Sequence, residues 1–290
     1  MRVTGLLVGL LLVLGSIPLP ALAEKRIALI IGNSAYIKVP KLPNPTNDSA
    51  AMADLLRKAG FDVVEERADL RADAMRRVLR DFSEHAHDAG IAVVFDAGHG
   101  MEMNGVNYLI PVDATLARDV DVEDEAISLD RVIRTIEPVR QLQLVILDAC
   151  RDNPFLRSMR RTVVTRSVRS GHGEIDEKTL PPNTLIAYAQ KAGKMADDGA
   201  DSNSPYTMAL LKHLPTPGLD VELALRRVRD EVLQATRNRQ EPFKYGSLGG
   251  AELPLVPAVI SPPSPTTPRK GKANRARGSR VSFKCDFAAT

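Results

Sequence analysis

Leu142–Phe155 reads LQLVILDACRDNPF, an apolar run that stops at a polar tip carrying Cys150. A second such run, Ile91–Phe95 (IAVVF), ends in Asp96–Gly100 (DAGHG), which carries His99. Both runs are short, continuous and rich in β-branched residues. That pattern belongs to strands buried on both faces of a parallel sheet. Open sheets of this kind bind ligands outside the carboxyl ends of their strands. A thiol and an imidazole at two such ends are the residue types of a nucleophile and its general base. The alternatives are an inert buried thiol and a structural loop histidine.

The surrounding chain repeats the same rhythm. Arg26–Ile31 predicts a first strand ending at Gly32 and Asn33. Asn47 or Asp48 is placed to cap a helix with Met52, Leu55, Leu56 and Ala59 inward, closed by Gly60. A short strand, Phe61–Val64, and a helix with Met75, Val78, Leu79 and Phe82 on one face lead into Ile91–Phe95. This β-α-β-α-β order predicts an α/β fold, a mostly parallel central sheet with helices on both faces. Asn107–Pro111 reads as extended, Ser128 as the cap of a helix, and Thr184–Tyr188 as a further strand. Ser204-Pro205 opens a helix with Met208, Leu211 and Leu214 inward, since proline suits the first helical position. A last helix runs over about 220–236 with Val221, Leu225, Val228 and Val232 inward.

The ends differ from this middle. Arg2, the apolar Leu6–Leu14 and the small-residue pattern Ala21-Leu22-Ala23 predict a cleaved signal peptide over residues 1–23. Pro18 and Pro20 interrupt it, and no other segment is long and apolar enough to span a bilayer. The expectation is export, to a periplasmic or secreted destination in a bacterial host, with no transmembrane span after cleavage. Residues 24–255 form the predicted folded domain, and 256–290 a Pro-rich and then basic disordered tail. Residues 261–290 hold seven Lys or Arg and one Asp, whereas the whole 290-residue chain carries only +3. The folded part is therefore mildly acidic, which argues against specific nucleic-acid binding. There are two cysteines, Cys150 and Cys285; a disulfide between them is the alternative to a reactive Cys150.

Arg26–Tyr36 (RIALIIGNSAY), Asn44–Asp48 (NPTND), Gly98–Gly100 (GHG), Asn107–Ala114 (NYLIPVDA) and Asp148–Phe155 (DACRDNPF) together resemble the bacterial caspase-like cysteine proteases, relatives of the metacaspases. The likeness covers about residues 25–250, and the separation of His99 from Cys150 agrees with the caspase pattern. It implies one caspase-like domain, with a large part over about 25–155 and a small part over about 184–250. It also implies cysteine-type endopeptidase activity on peptide or protein substrates; nothing in the chain specifies an oligomeric state. Cys150 is then the nucleophile and His99 the base. The backbone N–H groups of Gly100 and Cys150 form the oxyanion hole. Asp148, and less securely Asp48, line a pocket for an Arg or Lys side chain. Their alternatives are a loop-capping carboxylate and a helix cap.

Relatives usually carry an aromatic residue where this chain has Asp96. A carboxylate there either raises the imidazole pKa or points to solvent. A non-catalytic caspase-like module that binds peptides or partners in the same crevice is therefore the second expectation, and other acyl transfer by the same pair a third. No cofactor or metal motif is readable. Metacaspase relatives often need calcium, and the acidic stretch Asp119–Asp124 is where it could bind. Residues 156–182 show no element, and Arg157, Arg160, Arg161, Arg166 and Arg169 crowd them. An Arg-preferring enzyme would cut itself in this loop; a solvated charged loop is the alternative.

Overall fold

The computed structural model describes residues 24–150 (the main chain alone at Cys150), 154–155, 158–160, 180–190 and 202–258. The predicted signal peptide, Cys285, the basic tail and most of the 156–182 loop lie outside the described residues. In chain order the elements are β1 (Lys25–Gly32), α1 (Pro45–Lys58), β2 (Val63–Ala68), α2 (Ala72–Ala86), β3 (Ala89–Met103) and β4 (Val106–Leu109). A 3₁₀ turn (Asp119–Asp121) then precedes α3 (Val122–Glu125), β5 (Ile127–Ser128), α4 (Leu129–Ile136) and β6 (Leu142–Cys150). The chain continues through β7 (Thr184–Tyr188), α5 (Pro205–His213), α6 (Val221–Ala235) and β8 (Phe243–Ser247).

The strands form one sheet in the order β2-β1-β3-β6-β7-β8, with β4 and β5 attached beyond β3. β2, β1, β3, β6 and β7 are parallel; β8 runs antiparallel to β7. Strand alternation sends successive side chains to opposite faces. Ala28, Ile30, Val93, Phe95, Leu144 and Ile146 pack under α1, α5 and α6. Ile27, Leu29, Ala92, Val94, Val145 and Leu147 pack under α2 and α4. Phe82 and Phe95 are fully buried on the two faces; each such side chain contributes about 1.5–3 kcal/mol.

Several elements follow the sequence pattern closely. Ser128 caps α4, its hydroxyl accepting the Arg131 N–H, and Ser204 caps α5 through the Thr207 N–H. Asp220 caps α6 by accepting from Glu222 and Leu223. Four expectations are corrected. The first helix starts earlier than Asn47 or Asp48: Asn44 is its cap residue and Pro45 its first turn, because a proline's missing N–H costs nothing there. Asp48 is thereby moved inside the helix. The second strand begins at Val63, since Phe61 is instead buried beneath α1. Met208 is 49% exposed, because the buried face of α5 carries Tyr206, Thr207, Ala209 and Leu210. Finally, Phe243–Ser247 forms an edge strand that the sequence does not announce. It is short, mostly half-exposed and interrupted by Gly246, whose φ of +112° and contact with the Thr184 carbonyl exclude a side chain.

Beyond Cys150, Phe155 is buried against Tyr36, Met101 and Tyr108. Arg160 is tied through both backbone groups, donating to the Ala117 carbonyl and accepting from the Asp119 N–H. Arg157, Arg161, Arg166 and Arg169 lie outside the described residues.

The end of β1 packs tightly on the start of α1. A methyl group at Gly32 would fall 2.3 Å from Ser49 Oγ and 2.4 Å from the Pro45 carbonyl oxygen. Gly32→Ala is expected to push α1 away and destabilise the fold by about 1–3 kcal/mol. Urea denaturation of wild type and variant measures this, and an unchanged midpoint would show that the contact is slack.

Candidate active site

The β3 and β6 backbones pair in parallel from Ile91 and Leu142 onward, and the register ends with His99 opposite Cys150. Two residues 51 positions apart thus become neighbours across one ladder, about 4.8 Å between strands. The same register sets Ala97 opposite Asp148 and Asp96 opposite Leu147. By alternation, position 148 shares the face of Leu144 and Ile146, the face covered by α1, α5 and α6.

His99 is held from several directions. Its backbone N–H donates to the Tyr36 hydroxyl at 2.7 Å, and its carbonyl accepts the Ile110 N–H at 3.1 Å. The Tyr36 ring lies against the imidazole, with centroids 4.5 Å apart and planes tilted by 57°. The Tyr36 hydroxyl in turn donates to the Ile110 carbonyl at 3.2 Å. A Cβ at Gly98 would sit 2.5 Å from that hydroxyl, so this position must be small. Burial raises the Tyr36 pKa well above the usual phenol range, which keeps the hydroxyl neutral.

His99 Nε2 lies 2.9 Å from the Pro40 carbonyl oxygen. A carbonyl only accepts, so this bond requires the proton on Nε2. The other nitrogen, Nδ1, is then the one able to take up a proton. Gly100 is buried in β3 and pairs with Leu109 of β4.

Asp148 and Asp48 are both buried, at 9% and 2% exposure, and both meet the start of α5. Asp48 Oδ1 accepts from the Ser204 N–H at 3.0 Å and from Asn203 Nδ2 at 2.9 Å. Asp148 Oδ2 accepts from the Ser204 hydroxyl at 2.5 Å and from the Thr207 hydroxyl at 2.7 Å. Ser204 therefore links the two carboxylates, one through its N–H and one through its hydroxyl. Three elements distant in sequence, α1, β6 and α5, are joined here. Each acceptor bond favours the charged carboxylate.

Asp96 departs from both sequence expectations. It is 2% exposed, so it does not point to solvent. It also does not act as an anion beside the imidazole at neutral pH. Burial first, and the Asp148 carboxylate second, push its pKa up to about 8. Asp121 is paired with Arg118, and Glu125 accepts the Thr115 and Leu116 N–H groups. Among the described residues no cluster of three or more His, Cys, Asp or Glu is arranged around a metal position.

Tyr36, Pro40, Ser204 and Thr207 are site residues that the sequence does not single out. Tyr36 lies inside the RIALIIGNSAY stretch, yet nothing local connects it to His99. Pro40 acts through its carbonyl, which any residue type carries. Ser204 reads from sequence as a helix cap; its second role depends on β6 lying alongside. Tyr36→Phe keeps the ring but leaves the His99 N–H without its acceptor. It is expected to cost about 1–3 kcal/mol of stability, measured by urea unfolding; a neutral effect would mean that the hydroxyl is dispensable to the loop.

A family model described as caspase domain matches residues 25–249. The chain is also 30% identical over 131 residues to human (Homo sapiens) mucosa-associated lymphoid tissue lymphoma translocation protein 1. It shows the same identity over the same length to the mouse (Mus musculus) homolog of that protein. Each match covers 45% of this chain but only 15% of the relative's length. Residues 25–249, matched by the family model, hold the mixed, mostly parallel sheet and its helices, together with the His99 and Cys150 strand ends. The chain therefore belongs to the caspase-domain family of cysteine peptidases.

Proposed function

We propose that this protein is a cysteine endopeptidase that cleaves peptide bonds after Arg or Lys and acts outside the cytoplasm. The observation that carries the reading is the β3–β6 register, which ends with His99 opposite Cys150. The Cys150 thiol gives its proton to His99 Nδ1, while Nε2 stays bonded to the Pro40 carbonyl. The thiolate attacks the substrate carbonyl, and the Gly100 and Cys150 N–H groups receive the negative charge on its oxygen. The imidazolium then protonates the leaving amine, and water resolves the thioester. A free thiol has a pKa of about 8.5, so this reaction depends on the imidazole to raise the thiolate fraction.

Asp48 and Asp148 support the basic preference. Two carboxylates on one face, joined through Ser204, place negative charge two residues before the nucleophile. A guanidinium satisfies such a pair with its fork of N–H groups, whereas an aspartate side chain is repelled. The export expectation rests on residues 1–23 and is part of the same proposal.

Fluorogenic peptides ending in Arg, Lys or Asp test the reading against a Cys150→Ala control. Turnover of the Arg and Lys peptides, lost in the control, is the expected result. Asp148→Asn should lower kcat/KM for the Arg peptide by about 2–5 kcal/mol, more than about thirtyfold. Binding of peptides without turnover would instead favour a non-catalytic caspase-like module.

A further inference from the structure

Beneath the paired ends of β3 and β6 lies a cavity of about 20 Å³, room for one water molecule. Asp96, Gly100, Asn107, Leu147, Ala149 and Tyr188 contribute to its wall. Gly100 and Ala149 are the chain neighbours of His99 and Cys150, so the cavity sits directly under the strand ends of the candidate site. By alternation Asp96 falls on the side of Ala92 and Val94, away from the face carrying Asp148. Asp96 Oδ1 and both polar atoms of the Asn107 amide have no hydrogen-bond partner among the described residues. Both residues are more than nine-tenths buried, at 2% and 6% exposure. Buried polar groups in folded proteins are almost always satisfied by protein or by water.

We propose that Asp96 and Asn107 form a buried pair bridged by one water molecule, which props the ends of β3 and β6 from below. Asp96 is then a positioning residue whose proton sets the alkaline limit of the activity those strand ends support.

The chemistry of the cavity wall explains the direction. A protonated carboxyl both donates and accepts, as does the Asn107 amide, so a single water can satisfy both. Loss of the proton leaves an anion in an apolar setting. The groups around it offer no compensation. From β6 comes the Asp148 carboxylate, a like charge. β4 contributes the Tyr108 phenol and β7 the Tyr188 phenol. The loop after β1 contributes Tyr36, also neutral, and His99 follows on the same strand. Among the described residues no Lys, Arg or His lines the cavity. Ionised Asp96 must therefore draw in more water or move, and either response shifts the segment that carries His99 and Gly100.

The folded state holds this proton up to about pH 8, against an ordinary value of 3.8. In that window the folded chain binds more protons than the unfolded one, so stability falls as pH rises and levels off above it. Asp96→Asn keeps the size and hydrogen-bonding capacity but cannot ionise. Its melting temperature should exceed that of wild type by a margin that widens between about pH 5 and 8 and is then constant. A margin that does not change with pH would overturn the proposal. Infrared spectroscopy of the wild-type chain supplies a readout independent of the variant's folding. A protonated-carboxyl C=O band should persist at neutral pH and vanish above about 8; its absence at pH 7 would also overturn the proposal.

The activity arm rests on the endopeptidase reading. The ratio of variant to wild-type kcat/KM on an Arg peptide should rise about tenfold per pH unit above 8. A flat ratio in an active enzyme would refute the positioning role. A chain without turnover would refute the endopeptidase reading, leaving the melting and infrared results to decide the buried pair.

Discussion

The hydrogen-bond ladder between β3 and β6 is the constraint on which the rest depends. Its register brings His99 level with Cys150 and Asp148 level with Ala97. A slip of one residue would turn one strand's side chains to the opposite face. The register is specified because both faces of the two strands are buried under helices, so neither alternation can be inverted without exposing a core. The same packing that stabilises the sheet thus determines the chemistry possible at its edge.

Around that ladder, the polar groups at the strand ends are restrained largely from outside β3 and β6. Tyr36 and Pro40 come from the loop after β1, Ile110 from the segment after β4, and Ser204 and Thr207 from the start of α5. Each supplies a hydrogen-bond partner for a polar group at the strand ends. Loops are suited to this because their backbone groups are not committed to a ladder. The site is correspondingly rigid at His99, whose backbone N–H and carbonyl both have partners and whose ring nitrogen Nε2 is bonded to the Pro40 carbonyl.

The three buried carboxyls in this region, Asp48, Asp148 and Asp96, differ in environment. Asp48 accepts hydrogen bonds from the Ser204 N–H and the Asn203 amide, and Asp148 from the Ser204 and Thr207 hydroxyls. Asp96 Oδ1 has no such partner among the described residues, and burial, with the Asp148 charge second, holds its carboxyl neutral at ordinary pH.

The apolar runs, their lengths and the capping residues were legible locally, because hydrophobic periodicity and helix caps act over a few residues. They were enough for the parallel sheet, for most helices, and for singling out His99 and Cys150; Gly100, Asp148 and Asp48 came from the resemblance to the caspase-like proteases. The start of α1, the edge strand β8 and the exposed face at Met208 were not legible, since neighbouring elements decide them. Nor were the Pro40 carbonyl, the link through Ser204 or the burial of Asp96. These depend on which groups the fold brings within about 3 Å of one another, and on how far it removes them from water. Residue type and spacing determined which reactive side chains this chain carries; tertiary packing decided which nitrogen of His99 is bonded to the Pro40 carbonyl and how deeply each carboxyl is buried.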